Sequence, residues 1–322
     1  MEYASTTIGV STDAEGNYRL MIPEEGTYRL TVSHVGYQSV FKDIIPGKES
    51  LVFDAAMSIR MLEEVKVSAK VRFRRRDINL FWNCILGKPP SPNTIYASNP
   101  ESVYYYYNPE SRILKVTCRE PLLIINNETG YQIQAVVNHF THNYRTNTSV
   151  WETENRFTEL DSENSSQKAI WEENRKKIYQ VSLTKFIKSL YNNTLMEDGF
   201  LLVRQRENVK YEDLIKFSNT FVFNNPAYKT KVLSISPDLN LILVCFGKSI
   251  DREVIHNVNQ AQIGKNDWSG IGLIRNYLKT PNGQVQIFPD GTFKNLIVTS
   301  PFPLSNSLTG LDMKLPVEYI PQ

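Results

Sequence analysis

Four histidines, three cysteines and a run of four tyrosines carry the side chains in this 322-residue chain best suited to chemistry or recognition. A zinc hydrolase of the H-x-x-E type needs two closely spaced ligands, a third from elsewhere, and one open coordination position. The residues three after His34, His139, His142 and His256 are Tyr37, His142, Arg145 and Asn259, so no H-x-x-E pair exists. His139 and His142 form the one close histidine pair. On a helix that spacing would aim both at one metal. Residues 131–140 read as a strand, where positions three apart point to opposite faces. The pair is therefore expected at the surface or in a loop, without a metal. Cys84, Cys118 and Cys245 form no CxxC pair and are expected as buried thiols. In an exported protein, one disulfide and a leftover thiol would also fit.

Other chemical patterns fail in turn. Asp13 and Glu15 beside Gly16 lack the spacing and late Glu of a calcium loop, and read as a turn. No G-x-S-x-G, Walker A or G-x-G-x-x-G sequence occurs; Gly270-Ile271-Gly272 lacks the third glycine. The acid pairs Glu63/Glu64 and Glu172/Glu173 are adjacent, so their carboxylates diverge rather than flank one bond. No catalytic, metal or cofactor-binding residue is assigned, and no cofactor is expected. Tyr104, Tyr105, Tyr106 and Tyr107 remain as the candidate binding surface. In a strand, two of them face each side. They form either an aromatic platform for a glycan or peptide, or half core and half surface cover.

The elements that hold these residues are mostly strands. With 28 Asn, 10 Ala, 17 Tyr and 15 Phe, the composition favours turns and strands over helix. Lys+Arg 36 against Asp+Glu 34 leaves +2, which gives no electrostatic footprint for nucleic acid. No run of about 18 apolar residues exists, so no transmembrane helix is expected. The first residues show no charged segment followed by an apolar one, the pattern of a signal peptide. Residues 12–17 are a turn cluster. Strands are expected over 18–22, 27–33, 37–41, 50–58 and 64–69, short and closely spaced as in a small antiparallel sandwich. Arg72, Arg74, Arg75 and Arg76 make residues 70–77 a basic linker. Residues 78–86 read as a short helix ended by Gly87, and the four prolines of 88–100 as loop.

Further strands are expected over 103–107, 112–119, 121–125 and 131–140, with 161–168 turn-like. The strongest helix spans 182–196. Leu183, Phe186, Ile187, Leu190 and Tyr191 form one apolar stripe, with Ser182 as N-cap and Gly199 as stop. Residues 168–179 are a second helix or an extension of it. Strands resume at 200–204, 220–223, 231–236, 241–246 and 284–288, the last flanked by Pro281-Asn282-Gly283 and Pro289-Asp290-Gly291. Residues 251–267 carry no assignment. No internal repeat is found.

Gly9, Ser11-Thr12-Asp13-Ala14-Glu15-Gly16-Asn17-Tyr18 and Gly26-Thr27-Tyr28-Arg29-Leu30-Thr31-Val32-Ser33-His34-Val35-Gly36-Tyr37 resemble the carboxypeptidase regulatory-like domain. This transthyretin-like β-sandwich is common in envelope proteins of Bacteroidetes. Leu62-Glu63-Glu64-Val65-Lys66-Val67-Ser68-Ala69 resembles its closing strand. Family members carry an earlier strand and turn before the position of Met1. The sandwich is therefore expected to lack an N-terminal strand and to leave an edge open to another chain. In the second region, the resemblance is to an uncharacterised β-rich domain that follows this module in Bacteroidetes proteins. It is carried by Pro121–Asn127, Gly130–Ile133, Trp171, Arg175, Tyr179, Phe186, Ser189-Leu190, Gly199-Phe200, Phe288–Gly291 and Leu315–Pro321.

The resulting expectation is a mainly β chain. A truncated sandwich over 1–69 is followed by a linker over 70–77 and a β-rich domain over 78–322, with helix near 168–196. The resemblance implies a non-catalytic cell-envelope protein, in the periplasm or at the outer membrane. Its partner would be another envelope protein, a peptide or a glycan, and nucleic acid is excluded. Two alternatives are an accessory to TonB-dependent outer-membrane transport, and a hydrolase with an unrecognised site in the second domain. A cleft with converging carboxylates or histidines would mark the hydrolase.

Overall fold

The computed structural model describes residues 2–3, 6–21, 28–34, 37, 39–44, 50–59, 74–204, 222–225, 230–234, 241–245, 274–280, 283–299 and 310–321. The chain is mainly β, with several antiparallel sheets. Among the described residues no helix is long and apolar enough to cross a membrane. Contacts divide the chain into two units, Met1–Trp171 and Glu172–Gln322.

The first unit opens with a three-stranded sheet in the order β1 (Glu2–Tyr3), β2 (Tyr28–Val32), β3 (Val40–Ile44). The turn at 12–17 forms as its residues dictate. Asp13 Oδ1 accepts the Glu15 and Asn17 amides at 3.1 and 2.7 Å, and Gly16 takes φ 85°. Leu30 and Ile44 are the small core, with Ile8, Leu20 and Phe53 packed on them. Residues 18–21 and 50–58, expected as strands, join no ladder. Tyr18 and Phe53 instead meet through a hydroxyl-to-carbonyl hydrogen bond of 2.5 Å. The expected strand at 64–69 lies outside the described residues. At the N-terminus, β1 pairs with β2, and Thr6 then bridges to Arg156 of a larger sheet, where Phe157 N donates to Thr6 O at 3.0 Å. Thr31 Oγ1 donates to Glu154 Oε2 beside it, at 3.2 Å. β1 is the end strand of the three-stranded sheet, and Thr6 makes a single bridge to the larger one.

Helix α1 (Arg75–Leu86) starts three residues earlier than its apolar run. Arg75 and Arg76, read as linker, are helical: arginine is a good helix former, and Asp77 in the first turn suits the positive helix end. Gly87 ends the helix at φ 85°, as expected. A six-stranded sheet follows: β4 (Ile95–Ala97), β5 (Val103–Asn108), β6 (Ile113–Cys118), β7 (Leu122–Asn126), β8 (Tyr131–Asn143) and β9 (Thr148–Glu159). β4 lies in the segment expected as loop. Its Ile95 is fully buried opposite Asn126, so pairing overrides the flanking prolines. β8 pairs with β7 through its first half, with β6 through its end, and with β9 along most of its length. The sheet is therefore a four-pass antiparallel meander, β4/β5, β6/β7, β8, β9. Phe81 of α1, fully buried, sits edge-on to Tyr105 and Phe140 at 5.7 and 5.0 Å, so α1 covers one face.

Asn155 on β9 is 1% exposed, and neither amide atom has a hydrogen-bond partner. A buried amide left unmade costs about 1–3 kcal/mol. Asn155→Leu, close in volume, is expected to raise stability by about that amount. A higher urea midpoint at unchanged slope would show it; a lower midpoint would contradict the orphaned state.

In the second unit, the segment from Glu172 completes helix α2 (Ser165–Val181), followed by α3 (Leu183–Asn192). They are separate helices. Asn164 caps the first, accepting the Ser166 amide at 2.9 Å, so the expected turn over 161–168 ends there. Ser182 caps the second through the Lys185 amide at 3.1 Å, as its sequence predicts. α3 stops at Asn192 rather than 196, because Asn193 takes the left-handed conformation at φ 62°. Two four-stranded sheets follow, built from β10 (Phe200–Arg204), β11 (Val222–Asn225), β12 (Thr230–Ser234), β13 (Leu241–Cys245), β14 (Ile274–Lys279), β15 (Gln284–Ile287), β16 (Phe293–Lys294) and β17 (Ile297–Thr299). Their orders are β10-β13-β14-β17 and β11-β12-β15-β16. Each successive pair of these strands contributes one to each sheet. Phe186, Ile187 and Leu190 of the α3 stripe join Phe200, Leu243, Val285 and Ile287 in its core. The unassigned run 251–267 lies outside the described residues.

Candidate functional site

Register places the residues of the first unit's sheet in rows. On the face under α1, one row reads Tyr107, Leu114, His142, Ser149. On the opposite face the next row reads Tyr106, Lys115, Thr141, Val150. The tyrosine run is thereby split. Tyr105 and Tyr107 lie on the helix side, and burial pushes the Tyr105 phenol well above its ordinary value. Tyr104 is 38% exposed opposite Thr117, and Tyr106 stands half-buried opposite the exposed Lys115. Val150 at the end of this row is also exposed. Two tyrosines, a lysine, two threonines and a valine thus share this sheet face, on which the Thr117 hydroxyl is buried and that of Thr141 meets His139.

The helix side holds the densest polar cluster of the unit. Asp77, 3% exposed, accepts Arg74 Nε at 2.8 Å on one oxygen and the Tyr144 hydroxyl on the other. Arg76 Nε lies 3.6 Å from that second oxygen. The Arg74 guanidinium stacks on the Tyr107 ring, 3.5 Å from its centroid, and Arg76 covers Tyr144 at 4.6 Å. Burial, then the bond to Asp77, hold the Tyr144 phenol well above its usual range. His142, 1% exposed, stands edge-on to Tyr144 at 4.4 Å. Its Nδ1 shares a hydrogen bond with Ser149 Oγ at 2.8 Å, while Nε2 has no partner. Burial lowers its pKa, with Asp77 opposing and Arg76 assisting. Cys84 Sγ donates to the same Ser149 Oγ at 3.5 Å, and burial pushes its thiol up to about 11.

The Ser149–His142 pair has the contact of a nucleophile and its base. It lacks the other half of that machinery. No carboxylate orients the ring through Nε2, because Asp77 is engaged by Arg74 and Tyr144. Cys84 at a pKa near 11 holds almost no thiolate at neutral pH. The cluster fastens α1 to the sheet rather than presenting a reactive group. The expected surface pair is corrected accordingly: His139 is exposed and bonds Thr141 at 3.2 Å, but His142 is buried, because the pleat turns it under α1. Among the described residues no group of three or more His, Cys, Asp or Glu is placed to hold a metal. His256 lies outside them. Sequence reading missed Asp77, Tyr144 and Ser149. The one available signal was the alternation Phe140, His142 on a buried strand face.

In the second unit, Asp198 closes the end of α3, accepting Ser189 Oγ at 2.7 Å and Thr194 Oγ1 at 2.6 Å, with Lys185 Nζ at 3.7 Å. That carboxylate is satisfied by its own neighbours.

Residues 3–67 match the model of the CarboxypepD_reg-like domain, a family of non-catalytic β-sandwich modules. This is the assignment to which the turn and strand pattern of residues 9–37 pointed. No curated protein and no solved structure matches the chain.

Proposed function

We propose that the protein is a non-catalytic binding module of the cell envelope, in which the open sheet face bearing Tyr104 and Tyr106 contacts the ligand. The observation that carries this reading is the contrast between the two faces of one sheet. On the helix side the Asp77 carboxylate is buried and taken up by Arg74 and Tyr144, whereas the other side offers aromatic rings beside the exposed Lys115. Such amphipathic rings contribute large contact area at low entropic cost. Envelope location rests on the regulatory-like module at 3–67 and on its resemblance to Bacteroidetes envelope proteins. The partner would be an envelope protein, a peptide or a glycan.

The test is cross-linking of intact cells that make the full-length gene product, followed by capture. A specific partner is expected from the membrane or periplasmic fraction, and a Tyr104→Ala/Tyr106→Ala chain is expected to lose it at least tenfold. Recovery from the cytosol, or capture unchanged by the double substitution, would overturn the reading.

The 2.8 Å Ser149–His142 contact favours a hydrolase as the second reading. A fluorophosphonate probe separates the two. The binding reading expects no adduct on Ser149; stoichiometric labelling that disappears in Ser149→Ala would favour the hydrolase.

A further inference from the structure

His142 is a titratable group buried where no counter-ion is left for it. The charged and titratable groups around it are Arg74 at the cap of α1, Arg76, Asp77 and Cys84 on α1, Tyr144 just after β8, and Tyr107 on β5. β9 contributes the neutral Ser149. As a neutral ring, His142 satisfies Nδ1 through Ser149 and leaves Nε2 as an unbonded nitrogen. As a cation it must donate from both nitrogens. In the cation the Nε2–H is a buried, charged donor without an acceptor. The nearby carboxylate, Asp77, is already shared by Arg74, Arg76 and Tyr144. The closed arrangement therefore excludes the cation, and an opened one would hydrate it.

We propose that this corner is an acid-sensitive latch, in which a proton taken up at His142 frees the first turn of α1 from the sheet. The sign follows from the direction in which burial moves the imidazole. Its pKa in the closed state lies below the ordinary value, so the latch is complete above about pH 6.5 and weakens as pH falls below that. One proton allows at most about a tenfold gain in opening per pH unit, so with an opened-state value near 6.5 opening at pH 5.5 exceeds that at pH 7.5 by up to about tenfold. The exposed His139, on the same strand, has no such constraint.

Hydrogen exchange on the full chain at pH 7.5 and 5.5, corrected for intrinsic rates, tests this. The amides of residues 77–81 and of Tyr144 are expected to lose protection at the lower pH, by up to about tenfold. His142→Gln should abolish that response and His139→Gln should keep it. Protection independent of pH in the unsubstituted chain, or an equal loss in His142→Gln, would overturn the latch. Ring NMR of the unsubstituted chain reads the same claim without a substitution. His142 is expected to titrate below pH 6.5 in step with loss of α1 protection. Titration at or above 6.5, or with α1 protected throughout, would contradict it.

Discussion

Gly130→Ala is expected to cost about 4 kcal/mol of stability. Gly130 sits at φ 68° in the turn between β7 and β8, where an L side chain is itself strained by about 1–2 kcal/mol. An added Cβ would lie 2.2 Å from Cδ2 and 2.3 Å from Cε3 of Trp171. That indole is 7% exposed and donates Nε1 to Asn127 O at 2.9 Å, so it has nowhere to retreat. Displacing it forfeits much of the roughly 3–5 kcal/mol that a buried tryptophan contributes. Gly16 is the control, with φ 85° and nothing within 4 Å of its Cβ. Gly16→Ala should cost only the backbone strain, about 1 kcal/mol. Urea midpoints compare the two, and equal losses would mean that Trp171 does not seal the turn.

Removing the carboxylate of Asp77 should be the next most damaging change. Asp77→Ala leaves the Tyr144 hydroxyl and the Arg74 guanidinium without their shared acceptor in a corner where Asp77 itself is 3% exposed. Breaking a fully buried pair costs about 3–5 kcal/mol. Arg74 keeps about a third of its side chain in water, which lowers the expected loss to about 2–3 kcal/mol. Asp77→Asn retains one acceptor oxygen and should lose about half as much. Thermal or urea unfolding of both variants checks the order. A loss for Asn equal to that for Ala would show that charge, not the Tyr144 hydrogen bond, carries the effect.

What could be read from the residues was local. The α3 stripe, its Ser182 cap, the Asp13–Asn17 turn and the alternation of the four tyrosines each depend on neighbours within a few positions, and each has its expected form. β9 went unassigned because its sequence does not alternate cleanly: polar Glu154 and Asn155 are both buried, whereas Val150 is exposed. The Asp77 cluster was illegible for another reason. Its partner Tyr144 is 67 residues away, and the carboxylate sits in a basic run where local charge reading expects a solvated linker. Asn193, not Gly199, ends α3, because an asparagine in the left-handed region gives a weaker sequence signal than glycine.

Photo-cross-linking resolves, residue by residue, which face of the β5 sheet meets a partner. A benzoylphenylalanine placed at position 104 or 106 in the full-length protein, irradiated in intact cells, is expected to give one dominant adduct. The same group at Ile170, exposed elsewhere on the chain, should give none of that adduct. An identical adduct from all three positions, or none from 104 and 106, would contradict binding through the tyrosine face.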